Sequence, residues 1–200
     1  MAEMVGLAEL DDETLIARSR DADAGAVRAL VARHVDEAYR IAYRMVGNRA
    51  QAEDIAQDVL MRMLTYQQGW FSTASFHTWL RRAIINRAID VYRKRRPSTP
   101  LDEAGEIPDG AGTQEEALIT GEAEARVAAA VLALPERQRA AITLCFYENM
   151  ALAEAAEVLK TSVGAVESLL HRAKAALRET LIEAGVRPAK PTLTKLRTFA

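Results

Sequence analysis

The feature that most limits how this chain can fold is an interruption near its middle. Residues 98–121 hold six Asp or Glu, no Lys or Arg, two prolines and four glycines. They show no apolar periodicity. Ordering a residue costs about 1–2 kcal/mol of backbone entropy, and this segment has too little apolar surface to offset that. It reads as a flexible acidic linker. On both sides of it, apolar residues recur at spacings of three and four, Ala is abundant, and aromatics are only 6% of the chain. That pattern favours helices over sheet. The expected architecture is all-α: two small helical domains, residues 1–97 and 122–186, joined by the tether 98–121. The tail 187–200 contains Pro188 and Pro191 and is expected to fray, with Leu193, Leu196 and Phe199 as a short sticky segment.

In the first domain, Val27, Leu30, Val31, His34, Ala38, Ile41, Ala42 and Met45 mark one long helix, stopped by Gly47. Asn48, with Gln51 three residues on, approximates a capping box for the next helix. That helix has the stripe Ile55, Ala56, Val59, Leu60, Met63 and Leu64, and opposes it with Glu53, Asp54, Gln57 and Asp58. An aromatic-rich connection follows, with Tyr66, Trp70 and Phe71. Ser75 is placed to cap a last helix with Phe76, Trp79, Leu80, Ala83, Ile84 and Val91 inside and Pro97 as its stop.

The last helix carries the sharpest chemical signal. From Arg81 to Arg96, seven of sixteen residues are basic and one is acidic, although the chain has a net charge of −2. Such concentration points to a polyanionic partner at one place, or to a solvated basic helix end. Asn86 and Asp90 are four apart and share a face with Arg82 and Arg93. That face combines groups able to read base edges with groups able to hold phosphates.

The second domain reads as a helix from Glu122 to Leu134, a break at Pro135, and a helix over 137–147. Then come the run Met150–Leu159, three polar residues, and a helix from Val163 that Ser162 can cap. Two helices joined by so short a turn describe a helix-turn-helix, whose second helix enters a major groove. Its expected buried stripe is Val163, Val166, Leu170, Ala173, Leu177 and Leu181. Its outward residues are Ala165, Glu167, Ser168, His171, Arg172 and Lys174.

Other classes find little support. The lone Cys145 sits in an apolar run, reads as an inert thiol and excludes an internal disulfide. His34, His77 and His171 are scattered along the chain, without metal-ligand spacing, and no Gly-rich phosphate loop occurs, so no catalytic residue, metal or cofactor is assigned. No run approaches the ~18 apolar residues of a membrane span, and the acidic start lacks a signal pattern. A cytoplasmic location is expected.

Order and spacing add a family resemblance. YRIAYRMVGN at 39–48, AEDIAQDV at 52–59 and FHTWLRRAIINRAIDVYR at 76–93 resemble region 2 of bacterial RNA polymerase sigma factors. LPERQRAAI at 134–142 and SVGAVESLLHRA at 162–173 resemble region 4. With nothing like regions 1 or 3, the chain is similar to the extracytoplasmic-function (ECF) type. The resemblance implies that Glu53, Asp54, Gln57 and Asp58 face the clamp of the polymerase largest subunit. It implies that Arg82, Asn86, Arg87, Asp90 and Arg93 line a groove that opens and reads the −10 element. It implies that Ala165, Glu167, Ser168, His171, Arg172 and Lys174 face the −35 element, with the second-largest subunit's flap as a further contact and an anti-sigma factor as regulator. Glu167 and Leu169 stand where many relatives carry Lys or Arg, so a promoter sequence does not transfer. Two other readings stay open on the residues alone: a dimeric helix-turn-helix repressor, and a sigma-like decoy that binds only a regulator.

Overall fold

The computed structural model describes residues 7, 9–65, 76–95 and 122–183. Every regular element among the described residues is a helix, and these residues fall into two compact units. The acidic segment 98–121, the aromatic connection with Tyr66, Trp70 and Phe71, Ser75, Arg96 and the tail lie outside the described residues.

In the first unit, α1 (Asp12–Arg20) begins where Asp11 accepts a hydrogen bond from the Thr14 amide at 2.7 Å. That bond holds the Asp11 carboxyl below its ordinary value. Asp23 caps α2 (Ala24–Val46), accepting from the Gly25 and Ala26 amides at 2.8 and 3.1 Å. The inner face of α2 is Ala26, Leu30, His34, Ala38, Ile41 and Ala42. It starts one residue earlier than the apolar pattern predicts, and Val27 and Val31 are only half-buried at its edge. Gly47, at φ +67°, turns the chain in the left-handed region that costs glycine least. Then α3 (Arg49–Thr65) buries Ala52, Ile55, Ala56, Val59, Leu60 and Met63, as its periodicity requires. The basic helix α4 (Phe76–Arg95) buries Phe76, Leu80, Ile84, Ile85 and Ala88. Trp79, Ala83 and Val91, read as core, are half-buried instead, because the contact stripe runs along the Ile85–Ala88 side.

The second unit contains α5 (Glu122–Ala133), α6 (Glu136–Ile142), α7 (Leu152–Leu159) and α8 (Val163–Glu183). Pro135 breaks the chain between α5 and α6, as its missing N–H and fixed φ dictate. A π-helical turn, Thr143–Tyr147, extends α6 where a regular helix is predicted; the wider turn leaves both Thr143 and Leu144 fully buried. Arg139 is also buried, donating to the Leu132 carbonyl and, at 2.9 Å, to the Leu134 carbonyl. It thereby satisfies acceptors that the end of α5 leaves open. The long helix α8 packs on α5, α6 and α7.

Candidate nucleic-acid interface

A helix-turn-helix needs two helices locked at a fixed angle by a short turn, and the second unit builds that turn from side chains and backbone. Glu154 accepts from the Ala151 amide at 2.9 Å, starting α7. At the other end of α7 the chain reverses through Lys160 at φ +49°, and the Thr161 amide returns to the Ala156 carbonyl at 3.0 Å. Arg137 on α6 donates to the Leu159 carbonyl at 3.2 Å and ties the turn down. Ser162 Oγ accepts from the Ala165 amide at 3.2 Å, so it caps α8 as its sequence position suggests.

The stripe of α8 that faces inward is Val166, Leu170 and Ala173. Val163, read as buried, is 41% exposed in the first turn of α8; Leu177 and Leu181 are half-exposed. Glu167, Ser168, His171, Arg172 and Lys174 are exposed, and Ala165 is half-buried at the rim. The Ser168 hydroxyl donates to the Gly164 carbonyl at 2.9 Å, leaving its lone pairs outward. Lys174 lies over the Phe146 ring, 5.0 Å from its centroid. Cys145, on the same π turn as Phe146, is pushed up to about 11 by burial, with Lys174 opposing, which leaves a protonated thiol at neutral pH.

On α4, Asn86 and Asp90 are exposed, and so are Arg93 and Lys94; Arg82 is half-buried. The basic run divides by role. Arg87 Nε donates to Asp58 Oδ2 on α3 at 2.7 Å, and Arg87 Nη2 lies 2.6 Å from the same oxygen. Arg81 Nε donates to Glu37 Oε1 on α2 at 2.9 Å. Two of the basic residues thus staple α4 to its neighbours, and Arg87 and Asp58, assigned by resemblance to separate surfaces, are partners of each other. Their pairing was illegible along the chain because it joins positions 29 apart.

Glu53, Asp54 and Gln57 are exposed on α3, with Asp58 partly covered; Glu53 also receives Arg49 Nε at 2.9 Å. Beside them a groove between α2 and α3 is lined by Val35, Tyr39, Gln57, Leu60 and Met61 among others. Met61 is 55% exposed. Reading α3 for its charges missed this apolar ledge. Its only signal in the sequence is a methionine on the polar face.

A second polar cluster joins three helices of the first unit. Asp12 on α1, His34 and Glu37 on α2, and His77 and Arg81 on α4 lie side by side. Burial acts to raise the Glu37 carboxyl, but the hydrogen bond to His34 and the charges of Arg81 and His77 outweigh it and bring it down to about 2. Burial acts to lower His34, yet Glu37 and Asp12 leave it above its ordinary value. Two of the three histidines that look scattered along the chain are therefore neighbours in space.

Comparison with known proteins gives the family. Residues 30–97 match the Sigma-70 region 2 family, and residues 124–177 match Sigma-70, region 4. An all-helical pair of these two domains is the architecture of a minimal transcription-initiation factor. The chain belongs to the ECF RNA polymerase sigma factors. It is 32% identical over 177 residues to the ECF RNA polymerase sigma factor SigW of Bacillus subtilis (strain 168), covering 83% of this chain and 94% of that protein. It is 30% identical over 185 residues to the RNA polymerase sigma-H factor of Pseudomonas aeruginosa, covering 88% and 96%. Among solved structures, CnrH in complex with the cytosolic domain of CnrY matches with a TM-score of 0.64 at 28% identity, covering 86% of this chain and 97% of that one. RpoE of Bartonella quintana, in complex with the anti-sigma factor NepR, shares the fold with a TM-score of 0.59 at 21% identity, covering 77% and 95%. The chain is thus an alternative sigma factor directing transcription, in a family of non-catalytic initiation factors. Among the described residues, no helix is long and apolar enough to cross a membrane.

Proposed function

We propose that the first unit binds core RNA polymerase through α3 and holds the opened −10 strand on α4, while α8 reads the −35 element. The observation that carries this reading is the sorting of α4. Arg81 and Arg87 are engaged by carboxylates of neighbouring helices, whereas Asn86, Asp90 and, near the helix end, Lys94 stand exposed. A helix fixed by one set of cations and presenting another beside an amide and a carboxylate suits capture of a single strand. Opening costs a few kcal/mol per unstacked base step, and a firmly held helix spends none of its binding energy on its own ordering. Glu53, Asp54 and Gln57, with Met61 beside them, form a surface with both charge and apolar area, which suits the polymerase clamp. On α8, the acidic Glu167 among Arg172, Lys174 and His171 weakens phosphate attraction, so the −35 contact depends on tethering to polymerase. A flap contact and an anti-sigma factor complete the set of partners; CnrH was solved with the cytosolic domain of CnrY, and the Bartonella RpoE with the anti-sigma factor NepR.

Asn86→Ala is expected to cut promoter opening, read by permanganate reactivity of −10 thymines, while core-polymerase binding stays intact. Asp54→Arg is expected to do the reverse. Asp58→Arg is a poorer probe, because it also sets two arginines against each other at the α3–α4 contact. Normal opening by Asn86→Ala together with normal binding by Asp54→Arg contradicts the assignment of faces.

A further inference from the structure

We propose that His34, Glu37 and His77 form a binding site for one Zn2+ ion in the first unit, a site that goes beyond the initiation function above. The three residues each offer a ligand atom, and these lie within 4.8 Å of one another. Glu37 Oε2 is 3.7 Å from His34 Nδ1 and 3.8 Å from His77 Nδ1. Tetrahedral zinc with bonds of about 2.0–2.1 Å sets its ligand atoms about 3.4 Å apart. The two distances to Glu37 need to close by a few tenths of an ångström, and the widest separation in the set, at most 4.8 Å, by up to about 1.4 Å.

The outer groups have the arrangement that metal histidines require. A ligating imidazole donates its other N–H to a carboxylate or carbonyl, which fixes the ring and its tautomer. Here both Nε2 atoms face one oxygen, Asp12 Oδ2, at 3.1 Å from His34 and 3.5 Å from His77. The carboxylates are turned in the same sense. Arg33 binds the other oxygen of Asp12 at 2.7 Å, and Arg81 binds the other oxygen of Glu37 at 2.9 Å. The oxygens left over, Asp12 Oδ2 and Glu37 Oε2, are the two that face both imidazoles. One serves as orienting acceptor and the other as a monodentate ligand.

Packing holds the rings in place. His34 is 2% exposed and meets the Phe76 ring edge-on at a centroid distance of 4.7 Å. The His77 side chain is 50% exposed, which leaves an open side for entry and for a water as fourth ligand. Imidazole and carboxylate donors suit zinc and its first-row neighbours, not calcium or magnesium. On binding, the ion takes the place of protons otherwise shared between these rings and carboxylates. It then ties α2 to α4, the helix that carries Asn86.

The test uses the full chain, stripped with chelator and titrated with ZnCl2 against a chromophoric chelator. The site predicts saturable binding of one ion per chain and a Zn2+-dependent rise in Tm. His77→Ala, at a half-exposed position, is expected to fold and to lose both. Asp12→Asn is expected to weaken binding by about 10- to 100-fold. Cys145→Ala is expected to bind as the wild type does. Absence of saturable binding in the wild-type chain overturns the site, and so does retention of full affinity by folded His77→Ala. Both readouts are independent of polymerase, so they separate this site from the assignment of the promoter-binding faces.

Discussion

Arg139 is a charged side chain serving as the cap of a helix it does not belong to. Its guanidinium reaches the Leu132 and Leu134 carbonyls at the end of α5 from inside the second unit. Leaving a buried acceptor unpaired costs about 1–3 kcal/mol, so Arg139→Ala is expected to destabilise that unit by about 2–4 kcal/mol. Loss of hydrogen-exchange protection in α6 and α8 amides reads the effect; unchanged protection contradicts it. Cys145, in the π turn that follows α6, has its thiol pushed up to about 11 by burial. Thiolate is the nucleophile and its fraction falls tenfold per unit of raised pKa, so alkylation by iodoacetamide at pH 8 is expected to be far slower than for a free thiol until the protein unfolds. At this scale the sequence is legible where a property is local. Asn86 and Asp90 are exposed because helical spacing puts them opposite Ile84 and Ala88, and Ser162 caps because of where it stands. It is illegible where a residue's role is set by a distant partner. Nothing near Arg87 in the sequence points to Asp58, and nothing near His34 points to His77.

Elements end where backbone chemistry says they must, with informative exceptions. Pro135 and Gly47 are breaks that the sequence announces. The reversal after α7 is not so marked, since Lys160 occupies the left-handed region at φ +49° in a turn with no glycine. The three polar residues show that a turn is there but not its conformation. A non-glycine residue in this region costs about 1–2 kcal/mol, so Lys160→Gly is expected to stabilise the second unit by roughly 0.5–1 kcal/mol. Denaturant midpoints measured by far-UV circular dichroism test this, and a fall in midpoint contradicts it. The apolar stripes of α3 and of the middle of α8 follow their periodicity closely. Those of α2, α4 and the ends of α8 drift, because burial depends on which neighbour a helix meets. Val163 and Leu177 repeat correctly but have too little packed against them. The π turn at Thr143–Tyr147 has no signature in periodicity, since one widened turn within an apolar run leaves the pattern almost unchanged.

At the scale of the whole molecule, the described residues form two compact helical units, and the chain matches Sigma-70 region 2 over residues 30–97 and Sigma-70, region 4 over residues 124–177. Family membership rests on both units together, since neither a basic helix nor a helix-turn-helix is specific alone. The overall charge of −2 conceals the partition that matters. On α4 some cations hold the helix and others are presented outward; on α8 they are mixed with acid. Affinity for DNA is therefore expected to be weak for the free chain and strong only on polymerase.

Run-off transcription with bacterial core polymerase on promoters upstream of the protein's own operon tests the central claim most directly. Promoter-dependent product is expected only when both core enzyme and this chain are present, with no measurable operator binding by the chain alone at physiological salt. Tight, polymerase-independent binding by a symmetric dimer, with no product on any promoter, contradicts it.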